Sequence, residues 1–386
     1  LYSNTTGYGN QALGHWALYS NTDGYNNQAI GNGALTSNTT GSANHADGYS
    51  ALSGNTDGYN NHADGYRAMS DNTTGSNNYA SGHQALQNNT VGSNNHAVGF
   101  LPLRRNTTGS YNHADGYNAL WNCEHGSYNH ASGYQSLYNN VSLIGTLTIH
   151  DPGSGFVDGT YTSVSLQIAS GSWGYSTVLP TADIVVSGGV VTSITVLTLG
   201  HGYTVDMWTV NRTDLGGGSG TNLQAIPNTW TSGEKNTSVG YQSMYSNTIG
   251  NNNQATGYQA LYSNTTGNNN QADGYHALYH NTSGSGNQAF GFAALYNNTT
   301  GVTNQADGYM ALYSSTTGYW NQADGYQALY NNTTGFRNIA SGFMALWSNT
   351  TGNYNTGFGF QPLFWNTIGE QNTAIGYNSM HENIEG

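Results

Sequence analysis

The chain is 386 residues long, yet only 6% of them are charged; Gly (54) and Tyr (30) are abundant and the formal net charge is −13. A typical soluble domain carries about 25% charged residues, so uncharged polar groups must keep this one in water, and an acidic excess argues against electrostatic capture of nucleic acid. Cys123 is the single cysteine, which excludes an intrachain disulfide, and no run of about 18 apolar residues offers a conventional membrane helix.

The chain opens inside a repeat, at its Leu position, with neither an initiator Met nor a signal peptide. It is therefore expected to be a segment of a longer or processed protein. Low charge and low complexity are shared with disordered chains, but here Leu, Ala, Gly and Asn keep strict phase. Leu18, Leu35, Leu52, Met69 and Leu86 are spaced by 17 residues, as are Leu261, Leu278, Leu295 and Leu312. A unit that small cannot bury a core alone, so a fixed period implies stacked repeats.

Residues 1–140 form the first array. One rung reads N-x-A-x-G-Y-x-A-L-Y-x-N-T-T-G-x-x, as in the stretch from Asn253 to Asn269. The N-x-A-x-G segment alternates, which puts Asn, Ala and Gly on one face of a short strand and the variable residues on the other. The A-L-Y segment is expected as a second short strand and N-T-T-G as the turn, with Asn and Gly taking positive-φ positions. Asn columns are expected to stack as amide ladders, with rungs about 4.8 Å apart.

Between 141 and 232 the repeat vanishes. Leu143–Ile149, Tyr161–Ala169, Ala182–Val186, Val190–Leu199 and Tyr203–Val210 read as strands rich in β-branched and aromatic residues. Gly188-Gly189 marks a hairpin, and Leu215-Gly-Gly-Gly-Ser-Gly-Thr reads as the exit linker. The expectation is a small β-sandwich or barrel. Leu137 and Met244 are 107 residues apart, six periods plus five residues, so this segment is a separate module rather than decayed repeats. Residues 233–386 form the second array, which can share an axis with the first.

The N-Q-A-D-G-Y and N-H-A-D-G-Y copies, and Asn372-Thr-Ala-Ile-Gly-Tyr-Asn-Ser-Met380, resemble the head repeats of trimeric autotransporter adhesins as found in bacteriophage tail fibres. The resemblance covers both arrays and implies a left-handed parallel β-roll assembled as a homotrimer; the repeat here is longer than the usual adhesin-head unit. The inserted segment is similar to small β modules of phage structural proteins, through Gly153-Ser-Gly-Phe, Asp158-Gly-Thr-Tyr and Gly200-His-Gly-Tyr.

Stacking turns each repeat position into a column, so chemistry is to be sought by column. One aromatic column runs Tyr241, Tyr258, Tyr275, Phe292 and onward; another runs Tyr245, Tyr262, Tyr279, Tyr296, Tyr313, Tyr330, Trp347 and Phe364. Packing is the first reading of both. The second column is also a candidate glycan-contact stripe, because aromatic faces stack on the apolar faces of sugars.

His45, His62, His96, His113 and His130 occupy one column, and Asp47, Asp64 and Asp115 lie two residues after three of them, on the same face. A polar ladder is favoured there over metal binding, since the second array carries Gln254, Gln271 and Gln288 in that place. Cys123-Glu124-His125 replaces the Asn-Thr-Thr of the turn and reads as repeat variation, lacking an orienting third group or oxyanion loop. Asn4, Asn38, Asn72, Asn106, Asn264, Asn281, Asn332 and Asn349 head N-x-S/T triplets and are candidate glycosylation sites, although the turn already uses them.

The fold class is thus all-β, a parallel β-roll or β-solenoid of 17-residue repeats interrupted by a small sandwich- or barrel-like domain. The expected function is structural and noncatalytic: the shaft of a phage tail fibre or similar virion appendage, extracellular, attaching multivalently to a cell surface. A bacterial surface adhesin or a carbohydrate-binding module is the alternative. Partners are expected to be two further copies of the chain and a cell-surface glycan receptor, without nucleic acid, membrane insertion, cofactor or metal.

Overall fold

A computed structural model describes residues 1–141, 143–178, 181–198, 201–210, 212–216 and 223–384. The chain divides into two compact units, one made of Leu1–Asn140 with Gly233–Gly386 and the other of Val141–Ser232.

The first unit is a parallel β-solenoid. Its strands are three residues long, β1–β8 running from Gln11–Leu13 to His130–Ser132 and β16–β24 from Thr237–Val239 to Thr373–Ile375, all in one 17-stranded parallel sheet. Pairing is in register at one full period, Gln254 with Gln271, Ala255 with Ala272 and Thr256 with Asp273. The central residue, Ala in most strands, points inward and the flanking residues outward from β2 onward, following the alternation of the sequence; Ser238 and Gly357 take the central place in β16 and β23.

The expected A-L-Y strand does not form; that segment is a run of turns. In the rung of Leu261, Gln259 (φ 52°) and Leu261 (φ 54°) are both left-handed, so the backbone coils instead of extending. Its hydrogen bonds still run between rungs: Gln259 N–H donates back to the Tyr241 carbonyl and Leu261 N–H forward to the Ala277 carbonyl, both at 2.9 Å. A left-handed Leu costs about 1–2 kcal/mol. The conformation persists in rung after rung because it drops the side chain into the core, where the Leu column is 0% exposed from Leu18 to Leu363. Leu and two Ala columns fill the interior, and every rung is closed by a single chain.

The turn glycine also departs from expectation. Gly267 is not left-handed; a Cβ there would lie 2.3 Å from the Gly284 carbonyl oxygen and 2.5 Å from Asn264 Oδ1. Glycine is required by close approach of the next rung, and the positive φ falls elsewhere, on the strand-ending Gly257 (φ 128°) and on Asn269 (φ 56°).

Two amide ladders flank this turn. Asn264 Nδ2 donates to the Gly267 carbonyl at 3.0 Å and to Asn247 Oδ1 of the preceding rung at 2.7 Å. Asn270 Nδ2 donates to the Gly284 carbonyl at 2.8 Å, while its backbone N–H donates to Asn253 Oδ1 at 3.0 Å. Away from the ends both Asn columns are buried, and most of their amides are satisfied inside the stack, as buried polar groups require; Asn106 Oδ1 and Asn298 Oδ1 lack a partner where Cys123 and Ser315 replace the next Asn.

The two arrays are one continuous stack. Strand β8 pairs in parallel with β16, His130 opposite Thr237, and Asn140 Nδ2 donates to the Gly233 carbonyl at 3.0 Å, the bond that Asn and Gly make in an ordinary turn. Residues 141–232 therefore occupy the place of the Thr-Thr dipeptide in one turn. The 107-residue offset is one period of 17 plus 90 inserted residues, not six periods and a remainder, and the rung resumes in phase.

The second unit has two antiparallel sheets. One orders β10 (Gly159–Ser165), β12 (Thr181–Ser187) and β13 (Val190–Thr198); the other orders β11 (Gln167–Val178), β14 (His201–Thr209), β15 (Gln224–Thr231) and β9 (Leu143–Asp151). A core of Phe156, Val164, Leu166, Ile184, Val186 and Val191 receives Leu147 and Ile149 from the other sheet. Gly188 (φ 65°) and Gly189 (φ 77°) make the β12–β13 hairpin. The stretch expected as one strand from Tyr161 to Ala169 is two, broken at buried Leu166. The exit-linker expectation also shifts: residues 217–222 lie outside the described residues, Leu215 belongs to the core, and β15 follows, its signal masked by Pro227.

Candidate functional site: stacked side-chain columns

In-register stacking brings like side chains together at the rung spacing. From Tyr49 to Tyr377 an unbroken ladder of rings runs through Tyr66, His83, Phe100, Tyr117 and Tyr134, across the insertion point to Tyr241, and on to Phe360. Neighbouring centroids are 5.1 Å apart between Tyr134 and Tyr241 and 5.0 Å between Tyr258 and Tyr275, with planes within 7°. The column expected to contact glycans forms a second ladder from Trp121 through Tyr138, Tyr245, Tyr262, Tyr279, Tyr296, Tyr313, Tyr330 and Trp347 to His381.

The two ladders lie on neighbouring strips of surface. His276 touches Tyr275 at 4.0 Å and Tyr279 at 4.8 Å, and between the ladders Gln259 donates to Gln242 Oε1 at 2.9 Å and Gln242 to Gln135 Oε1 at 3.0 Å. Within each ladder a ring's faces are turned to its neighbours. A gap near 5 Å does not admit a sugar ring between two aromatic faces, which needs about twice a 3.5–4.0 Å contact distance. Edges and phenol hydroxyls are what the ladders present outward.

Burial raises the hydroxyl pKa of Tyr262, Tyr279, Tyr296 and Tyr330, with neighbouring tyrosines adding to the shift.

The His column stacks likewise. His45 and His62 are 4.6 Å apart, Tyr79 is interposed, and His96, His113 and His130 follow at 4.5 and 4.6 Å. Partial burial lowers the pKa of His62, His113 and His130; a neighbouring His lowers it further, while Asp64 or Asp115 opposes. Among the described residues no group of three or more His, Cys, Asp or Glu is placed to hold a metal ion.

Cys123-Glu124-His125 keeps the shape of the turn but interrupts the amide ladder, leaving Asn106 Oδ1 without a partner. Cys123 Sγ takes the Asn position, 3.4 Å from the Gly126 carbonyl and accepting from Asn140 Nδ2 at 3.5 Å. It is fully buried, and burial pushes its thiol to about 12. Glu124 pairs with Arg105, yet burial outweighs that partner and raises its carboxyl to about 7. His125 Nδ1 lies 2.7 Å from Thr108 Oγ1, and burial lowers its pKa to about 4. A protonated thiol in a closed ladder is not a nucleophile.

Of the candidate glycosylation residues, Asn4 is exposed, whereas Asn38, Asn72, Asn106, Asn264, Asn281, Asn332 and Asn349 are fully buried. Each of these seven donates its Nδ2 to a turn carbonyl, as Asn281 does to Gly284 at 3.0 Å. A glycan on that nitrogen displaces the ladder. The sequence carried the Asn and aromatic columns openly; ring orientation depends on side-chain stacking that no periodicity encodes.

Comparison with models of known families, with curated proteins and with solved structures found no match.

Proposed function

We propose that this chain is a noncatalytic structural element: a stiff shaft segment of an extracellular fibre, belonging to a phage tail fibre or similar virion appendage, that carries an inserted β module. The observation supporting this reading is the unbroken in-register stack, which continues from β8 to β16 across a 92-residue interruption. Continuous ladders resist bending, and a turn that admits a whole domain without loss of phase suits a spacer that displays something. A bacterial surface adhesin uses the same physics and is the nearest alternative.

Assembly as a homotrimer belongs to this proposal. The Leu core is complete within one chain, so the assembly would join finished solenoids through their surfaces rather than share a core. The exposed ring edges from Tyr49 to Tyr377 offer a strip for that contact. Sedimentation tests it: three times 41.0 kDa is expected, and a folded monomer at micromolar concentration overturns the trimer. Negative-stain images of whole virions or cells with an antibody to the insert test the placement; label confined to the cytoplasm overturns the fibre.

A further inference from the structure

The column of the second aromatic ladder opens with stacked Tyr2 and Tyr19 and then carries no ring until Trp121. Where later rungs carry Tyr245 or Tyr262, those near the beginning carry Thr36, Ser53 and Ser70, and Gly33 stands where others carry Gln259 or Met310. The missing side chains open a notch of about 380 Å³, within the range of small-molecule sites.

Trp16 and Tyr49 both line this notch. They stand two rungs apart, about 10 Å along the stack, twice the gap within a ladder. Tyr49 begins the first ladder: Tyr66 covers one of its faces at 5.4 Å, while the preceding rung holds Asn32 and leaves the other face without a ring partner. Trp16 is 57% and Tyr49 52% exposed. Trp16 stands in the column beside that of Tyr49, so both rings present surface to the notch from adjacent columns.

The floor is polar. Thr36 Oγ1 is engaged by the Gly33 carbonyl at 2.7 Å and Ser53 Oγ by the Ser70 carbonyl at 3.2 Å. The side chains of Asn32 and Ser50, and the Asp71 carboxylate beyond its 2.8 Å bond from Ser70, keep free hydrogen-bonding capacity toward the notch. Trp16 also has the His15 ring tilted against it at 4.2 Å, and the remaining exposed aromatic surface beside an amide, a hydroxyl and a carboxylate suits a ligand with an apolar C–H face and a rim of vicinal hydroxyls. Asp71 is the one charged group in the lining, which disfavours phosphates and acidic sugars.

We propose that this notch binds a neutral pyranose, one unit of a surface polysaccharide, with its C–H face against Tyr49 and Trp16 and its hydroxyls on Asn32, Ser50 and Asp71. The proposal does not rest on the fibre reading, because the site lies within a few rungs of one chain.

Saturation-transfer NMR on the intact chain tests it, with the neutral disaccharides lactose, cellobiose and chitobiose and the acidic sialyllactose as probes. Transfer to ring C–H protons of at least one neutral sugar is expected. It should weaken about tenfold or more in Trp16→Ala and Tyr49→Ala and persist in Tyr309→Ala, a ring inside the ladder. A filled variant, Thr36→Tyr with Ser53→Tyr, installs the residue of the later rungs, so it should fold, as its melting curve will verify, and lose binding. Absence of transfer from all neutral probes, equal binding in the filled variant, or preference for sialyllactose overturns the proposal.

Discussion

Asn281 shows how much rests on one side chain in a stacked repeat. Its Nδ2 serves the Gly284 carbonyl and Asn264 Oδ1, and its Oδ1 lies 2.4 Å from where a Gly284 Cβ would sit. Asn281→Ala leaves buried Asn264 Oδ1 without a donor and the Gly284 carbonyl with Asn270 alone, and should cost about 1–3 kcal/mol; Asn281→Asp, which faces a buried carboxylate to those acceptors, should cost more. Urea denaturation orders the three proteins, and equal midpoints refute the ladder's role.

Cys123, closed inside the same ladder with its thiol held at about 12, should resist a thiol-specific reagent at pH 8 in the folded protein and react at once in denaturant. Rapid labelling of the native chain contradicts its burial. Both Asn281 and Cys123 could be placed by period alone. What the period concealed was why glycine follows three residues later: its φ is ordinary, and the requirement comes from a carbonyl in another rung, which only appears once rungs are stacked.

At the scale of the element, strand and turn exchange roles relative to expectation. The N-x-A-x strand was legible because alternation is a two-residue signal. The A-L-Y turn was not, because Leu and Ala carry no turn signature; a left-handed Leu is stabilised by core burial and by its N–H bond to the next rung, neither of which is local in sequence.

The His column gives this element a pH response. His62, His113 and His130 have lowered pKa values in the fold against 6.5 as the ordinary value. The fold thus favours the neutral rings, and their contribution is whole above about pH 6.5 and lost as pH falls below it. His125, at about 4, acts in the same direction. Glu124, raised to about 7 from 4.5, acts oppositely: its contribution is whole below pH 4.5 and lost as pH rises through 7. Replacing His62, His113 and His130 by Gln should reduce the loss of melting temperature between pH 7.5 and 5 by a few degrees. Glu124→Gln should flatten the alkaline side. An unchanged acid limb in the triple variant defeats the first expectation.

At the scale of the molecule, the chain path predicts that the insert is dispensable to the solenoid. Joining Asn140 to Gly233 through Thr-Thr restores the ordinary turn, since those residues already make its closing bond. The shortened chain should keep the circular-dichroism signature of the arrays and melt within a few degrees of the parent; an unfolded product would mean that the insert holds the two arrays together. The composition change at each end of the insert was plain in the sequence. The point of entry was not, because a turn of two residues replaced by 92 disguises the phase.

The identity of neighbouring rungs also bears on inheritance. A rung pairs with its neighbour residue for residue at seventeen positions' remove, so one rung corresponds to a whole number of codons. Unequal recombination between any two copies of the coding repeat then keeps the reading frame and returns a chain whose ladders still meet. Gene variants should differ by whole repeats, and the length of this protein can drift across generations without passing through a misfolded ancestor.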